Sequence, residues 1–180
     1  MKTMVLPFPR SYWVIPGKLL AGHIPTGENM EASEKKIKNL IECGIRTFIN
    51  LQGKDEVNFE GVPFLNYQAI LKKFEKEYKI KLSFNRLSIP DFGITSTKNM
   101  KKILDTIDKS IGQGKPVYVH CWGGIGRTGT VVSCFLLRHG MANHDNVFKM
   151  IEYLRRSDPE NHRLSPETPE QFEFVKNWKE

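Results

Sequence analysis

Cysteine is scarce in this chain and does not pair. Cys43, Cys121 and Cys134 are its three, an odd count without framework spacing, so reduced thiols in a cytoplasmic setting are expected. No uninterrupted apolar stretch approaches the ~20 residues of a membrane helix. The opening Met1–Arg10, broken by Pro7 and Pro9, is too short and proline-rich for a signal peptide. Acidic side chains are in the minority, 20 against 27 basic, for a net charge of +7. That excess favours anionic partners such as a phosphate-bearing substrate, an acidic peptide or an anionic lipid surface, unless it is only a solvated face. Basic residues do not interleave with aromatics as a nucleic-acid module requires, so no nucleic-acid partner is expected. The five histidines lack metal-ligand spacing, and no metal or cofactor is expected. Repeats, low-complexity tracts and linkers are missing too, so residues 1–180 read as one domain. At 180 residues, 39% hydrophobic and 26% charged, it can bury a real core. Nothing in it specifies an oligomeric state.

What is present alternates between helical and extended patterns. Pro7, Pro9 and Pro16 make an extended arm carrying a docking strand at Trp13–Ile15, and Leu19–Gly22 reads as a second short strand. Ile37, Leu40 and Ile41 share one face of a helix over 32–41 that stops at Gly44. A strand over 45–51 follows after a two-residue joint, which points to a parallel α/β sheet. Residues 52–82 are punctuated by Gly53, Gly61 and Pro63, with a lysine-rich helix expected over 68–79. A strand over 85–89 ends at Pro90-Asp91-Phe92-Gly93. Thr95 or Ser96 then caps a helix striped with Met100, Ile103, Leu104, Ile107 and Ile111. Asn143 is expected to cap a helix bearing Val147, Met150, Ile151 and Leu154, and Thr168-Pro169-Glu170-Gln171 opens a last one with Phe174, Val175 and Trp178. The whole is an α/β domain with a central mixed, mainly parallel sheet flanked by helices.

The chemistry concentrates in 117–129. Val117-Tyr118-Val119-His120 is a buried strand that delivers Cys121 into a loop, Trp122-Gly123-Gly124-Ile125-Gly126, and Arg127-Thr128-Gly129 opens a buried helix. Five residues lie between Cys121 and Arg127, enough for a tight loop whose N–H groups point inward. Gly123, Gly124 and Gly126 permit the positive φ angles such a cradle needs. Cradle and helix N-terminus both favour negative charge on the sulfur and on a bound anion. Arg127 adds a planar fork for two phosphate oxygens. A nucleophile, an oxyanion cradle and a bidentate clamp make a phosphoryl-transfer site, with Trp122, Gly123, Gly124, Ile125, Gly126 and Arg127 holding the phosphate.

His120-Cys121-x-x-Gly124-x-x-Arg127-Thr128 resembles the signature of the cysteine-dependent protein tyrosine phosphatases, and the chain's length resembles the compact dual-specificity branch. Ser11–Gly22, Ile89–Gly93 and Ser165–Gln171 are similar to further family segments. The resemblance implies that Cys121 attacks phosphorus to form a thiophosphate. Arg127 would stabilise the equatorial oxygens, and Asp91 would protonate the leaving group from a mobile loop. Thr128 would assist departure of the sulfur, or else cap its helix. His120 would orient the loop, affect ionisation of the thiol, or be a satisfied core histidine. Asp91 has a plainer reading as a turn aspartate in Pro-Asp-x-Gly, while Asp55, Asp105 and Asp108 lie in less suggestive settings. Trp122 and Phe92 either wall the pocket or pack. Cys43 and Cys134 either fill core space or pair with Cys121 on oxidation. Glu167 stands where longer family members carry a glutamine, and Gln171 is either half of a capping box with Thr168 or a water-positioning group.

The expected activity is hydrolysis of phosphate monoesters on proteins, at phosphotyrosine, with phosphoserine and phosphothreonine left open as further substrates. Uncharged residues at the variable loop positions favour this over the alternative, a phosphatase for inositol phosphates, phosphoinositides or other small phosphates. A phosphate-binding module without turnover would not need Cys121 and Asp91.

Overall fold

The computed structural model describes residues 5–180; the first four residues of the expected extended arm lie outside the described residues. Among the described residues, five strands form one sheet in the order β1-β2-β5-β3-β4. These are β1 Ser11–Ile15, β2 Leu19–Gly22, β3 Thr47–Asn50, β4 Ser83–Arg86 and β5 Val117–His120. β1 runs antiparallel to β2, and the other pairings are parallel. The mixed, mainly parallel sheet is therefore as expected.

Side-chain alternation sorts the core into two layers. In β5, Val117 and Val119 face one side and Tyr118 the other; in β2, Leu19 and Ala21 oppose Leu20; in β3, Ile49 opposes Phe48. Helices α1 (Met30–Glu42) and α2 (Gln68–Tyr78) cover the Tyr118 side with Ile37, Leu40, Ile70, Leu71 and Phe74. Helices α3 (Thr97–Gly112), α4 (Gly126–Arg138), α5 (Val147–Leu154) and α6 (Pro169–Lys176) cover the other. Met100, Ile103, Leu104 and Ile107 of α3 are fully buried, each side chain contributing ~1.5–3 kcal/mol over exposure.

Boundaries differ from the sequence reading where local chemistry decides them. Asn29 caps α1 by accepting from the Ala32 N–H at 2.8 Å, so the helix starts two residues earlier than 32. Ser96, not Thr95, caps α3. The strand expected at 85–89 is Ser83–Arg86, because β3 pairs it in register from Thr47↔Ser83 to Asn50↔Arg86. Likewise the strand at 45–51 is Thr47–Asn50. Asn143 does not cap α5: its side chain accepts from Asp145 and Asn146 N–H in a turn before the helix, whose cap position is Asn146. No helix among the described residues is long and apolar enough to cross a membrane.

Candidate active site

Gly22, Asn50, Arg86 and His120 lie in one register row at the C-terminal ends of four parallel strands. The loops that follow therefore meet at one edge of the sheet, where ligands sit in open α/β folds. They bring His23, Phe59, Asp91 and Phe92, and the Cys121–Arg127 loop around a cavity of about 200 Å³. A shallower groove along α3, lined by Lys98, Lys101, Lys102 and Lys109, lies apart from it and holds no nucleophile.

The Cys121–Arg127 loop is held from outside through its carbonyls. The Cys121 carbonyl lies 2.8 Å from His120 Nδ1, Trp122 O accepts from the Ile24 N–H at 2.9 Å, Gly123 O from Arg10 Nη2 at 2.9 Å and Ile125 O from Ser165 Oγ at 2.7 Å. With the carbonyls turned outward, the N–H groups are left to face the cavity. Cys121 Sγ accepts from the Gly124 N–H at 3.2 Å and from Thr128 Oγ1 at 3.1 Å. Thr128 thus does not cap α4, whose cap position is Ile125 without a side-chain bond. Only one of the three loop glycines needs a positive φ: Gly124 at +72°, where a Cβ would also run into the Gly22 backbone. Gly126 instead makes room, since a Cβ there would stand 3.0 Å from Gln171 Oε1. Gly123 would meet nothing.

Arg127 is 2% exposed. Glu56 takes its outer edge in a bidentate pair, Nη1 to Oε2 at 2.7 Å and Nη2 to Oε1 at 2.8 Å. Nη1 also donates to Ile89 O at 3.2 Å. Asp91 Oδ1 sits 2.9 Å from Nη2 and accepts the Phe92 N–H at 3.1 Å. Burial pushes the Glu56 carboxyl up, but the Arg127 hydrogen bonds and charge, with the Gly53 N–H and the Gln52 amide, outweigh it and leave the carboxyl below its ordinary value. Burial works against the Arg127 charge as well, and the Glu56 hydrogen bonds with the nearby anions more than offset it. A guanidinium so placed is rigid and has one edge, Nε with the second Nη2 hydrogen, directed away from Glu56. Asp91 meets Nη2 there as an ion-pair partner rather than through an aligned hydrogen bond.

His120 is fully buried with both ring nitrogens used. Nδ1 faces a carbonyl and so carries the proton, which leaves Nε2 to accept from Tyr67 Oη at 2.7 Å. Burial, above all, lowers its pKa to about 3, so the ring is a neutral spacer between α2 and the loop. Trp122 packs edge-on against Phe64 at 5.1 Å and against Phe59 at 4.5 Å between centroids. Phe59 and Phe92 are exposed and line the cavity with Trp122. Gln171 completes a capping box with Thr168 at the start of α6 and also lines the cavity with Glu167. Asp105 and Asp108 hold Arg138, at 2.9 and 3.0 Å, away from the site. Burial pushes the thiols of Cys43 and Cys134 up, which favours their protonated forms. Among the described residues no group of three or more His, Cys, Asp and Glu side chains converges as a metal site.

The sequence reading missed Glu56, Tyr67, Arg10 and Ser165. Only Glu56 had a signal: a buried arginine needs a carboxylate, and the hard-to-read segment 52–67 leaves β3 beside β5. The others act through single long-range hydrogen bonds that leave no local pattern.

Comparisons agree with the geometry. The family model described as "Tc-R-P: Polymorphic toxin system, DSP-PTPase phosphatase" matches residues 24–141. An uncharacterized protein of Methanocaldococcus jannaschii is 37% identical over 99 residues, covering 55% of this chain and 61% of that protein. The match spans about three fifths of the length of that protein and of a second uncharacterized protein of the same organism. Among solved structures, Tk-PTP in its active form superposes with a TM-score of 0.65 at 24% identity, covering 94% of this chain and 95% of that one. PTPMT1 in complex with PI(5)P superposes at 0.65 and 21% identity, covering 92% of each; at these identities both show the fold. With more than half of its residues inside the family match, and the Cys121–Arg127 loop set between strand and helix at the sheet's carboxyl edge, the chain belongs to the DSP-PTPase phosphatase family.

Proposed function

We propose that this chain hydrolyses phosphate monoesters on proteins, phosphotyrosine first among them, through a thiophosphate on Cys121. The observation that carries the reading is the placement of Cys121 Sγ at the cavity floor, held by the Gly124 N–H and the Thr128 hydroxyl. An incoming phosphate takes the inward N–H groups and the free edge of Arg127, and in doing so displaces Asp91 from Nη2. The Asp91 carboxyl then faces the leaving oxygen. Sulfur attacks phosphorus in line, the P–O bond to the leaving group breaks, and Asp91 supplies the proton that makes the leaving group an alcohol or phenol. In the second step water attacks the thiophosphate, Asp91 takes its proton, and the Thr128 hydroxyl bonds the departing sulfur. Such oriented donors contribute ~10²–10³-fold each, and a general acid ~10²–10⁴-fold.

Phe59, Phe92 and Trp122 around the opening support an aryl substrate, since flat rings pack on aromatic walls. Phosphoserine and phosphothreonine reach the same sulfur only if the opening admits a short side chain. One observation favours the alternative of inositol or other small phosphates: Arg10 and Arg163 also line the cavity, and would suit a second anionic group. Turnover of a phosphotyrosine peptide, a phosphothreonine peptide and inositol phosphates under one set of conditions separates the readings. The protein reading requires the phosphotyrosine peptide to have the highest kcat/KM, and a preference for the inositol phosphates overturns it. A phosphorylated protein is the expected partner, in the cytoplasm.

A further inference from the structure

The loop that carries Asp91 is tied to the last helix. Thr168 Oγ1 donates to Phe92 O at 3.2 Å, and Gln171 Nε2 donates to Gly93 O at 3.0 Å. These are the two residues of the α6 capping box, and each also bonds within it. Thr168 Oγ1 accepts the Gln171 N–H at 3.3 Å, while Gln171 Oε1 accepts the N–H groups of Glu167 at 3.0 Å and Thr168 at 3.2 Å. Gln171 is fully buried and its carboxamide oxygen abuts Gly126 of the phosphate loop. Just before the first tied carbonyl Phe92 adopts a left-handed φ of +55°, unfavourable for a non-glycine residue, in a turn closed by the Gly93 N–H on Pro90 O at 3.0 Å. An exposed loop holds such a conformation only when fixed contacts outweigh its cost. The carboxamide has its oxygen on two N–H groups and one hydrogen of its nitrogen on Gly93 O.

We propose that the α6 capping box doubles as a latch for the acid loop, with Thr168 and Gln171 as positioning residues that set Asp91 over Cys121. The inference rests on Asp91 as general acid. Two substitutions separate latch from cap. Gln171→Glu keeps the acceptor oxygen that a capping box requires and removes the donor to Gly93 O. Thr168→Asp keeps a strong N-cap acceptor and removes the donor to Phe92 O. Both variants are assayed on phenyl phosphate, whose leaving group needs a proton, and on an aryl phosphate with an activated leaving group, which does not. Both substrates carry the same phosphate, so the effect of an added carboxylate on phosphate binding cancels in the ratio of the two rates.

Loss of one such hydrogen bond is expected to lower kcat on phenyl phosphate about five- to tenfold and to change the activated substrate less than about twofold. Thr168→Ser, which keeps both donor and acceptor, should restore the parent ratio. If Gln171→Glu and Thr168→Asp both leave the ratio at the parent value while Asp91→Asn raises it, the latch is wrong and Asp91 stands. If Asp91→Asn itself leaves the ratio unchanged, the reading of Asp91 fails and the latch falls with it. Should one variant fail to fold, the other decides alone.

Discussion

Replacing Glu56 by glutamine removes one charge from beneath the site and leaves the side chain's shape. Arg127 would keep Ile89 O and Asp91 but lose its bidentate partner, and the new amide would set a donor against Nη1 or Nη2. Breaking a buried ion pair by removing one partner costs ~3–5 kcal/mol. Glu56 is 14% exposed and Asp91 remains 2.9 Å from Nη2, so the lower end applies, ~3 kcal/mol. For a domain of this size each kcal/mol moves the melting temperature ~2–4 °C, which gives a drop of ~6–12 °C near neutral pH. The pH dependence supplies a second signature. A carboxyl whose folded pKa is depressed contributes stability above its ordinary value, ~4.3, and loses that contribution as pH falls through its lowered folded value. The gap between parent and Glu56→Gln should therefore narrow as pH falls below the ordinary carboxylate range. Thermal melts of both proteins from pH 7 to pH 3 measure it. A drop below about 2 °C at pH 7, or a gap that stays constant into acid, refutes the claim that Glu56 holds Arg127 by charge.

Three further outcomes are expected. Cys121→Ser should abolish turnover while vanadate or phosphate binding, read by thermal shift, largely survives; turnover that persists in that variant points to another nucleophile. Asp91→Asn should slow phenyl phosphate ~10²-fold or more and an activated aryl phosphate far less. It should also bind phosphate more tightly than the parent, because the carboxylate that competes for Arg127 Nη2 is gone. His120 and His23 are held neutral by burial, with pKa values lowered to about 3 and about 4. A histidine with a depressed folded value loses stability as pH falls below its ordinary value, ~6.5, so each costs ~2 kcal/mol between pH 7 and pH 5; a denaturation midpoint unchanged across that interval would falsify it.

Most of the sheet and the nucleophile's loop were legible because they depend on local pattern. Val117–His120 is a strand by composition, and the stripe from Met100 to Ile107 is a helix by spacing; both stand where expected. Strand ends were not legible. Whether the strand after α2 starts at Ser83 or at Asn85 depends on its register with β3, and no residue in 83–89 encodes that. The capping box of Thr168 and Gln171 could be read from four residues, but its second use could not. Phe92 O and Gly93 O lie 76 and 78 residues away in the chain, and a carbonyl acceptor has no sequence signature. Segment 52–67 was opaque for a related reason. It packs as an irregular loop whose value lies in two side chains, Glu56 and Tyr67, each aimed at one atom group of the Cys121–Arg127 region.

Those distant contacts explain why the local motif suffices to mark the site and not to build it. Glycines in the Cys121–Arg127 loop lower the cost of many conformations, including ones with N–H groups turned outward. What selects the inward cradle is the set of donors arranged around the outside: the Ile24 N–H, Arg10, Ser165 and His120, one for each of four carbonyls. They come from the loop after β2, the arm before β1, the loop before α6 and the end of β5 itself. His120 serves with Nδ1 protonated toward the Cys121 carbonyl, and its Nε2 is satisfied by the Tyr67 hydroxyl. Arg10 is steadied by Asp158, 3.9 Å away, which also pairs with the buried Arg155 at 3.5 Å. The preorganisation that phosphoryl transfer needs is thus a property of the whole domain. A loop of the same sequence without those four donors would pay its ordering cost at each turnover.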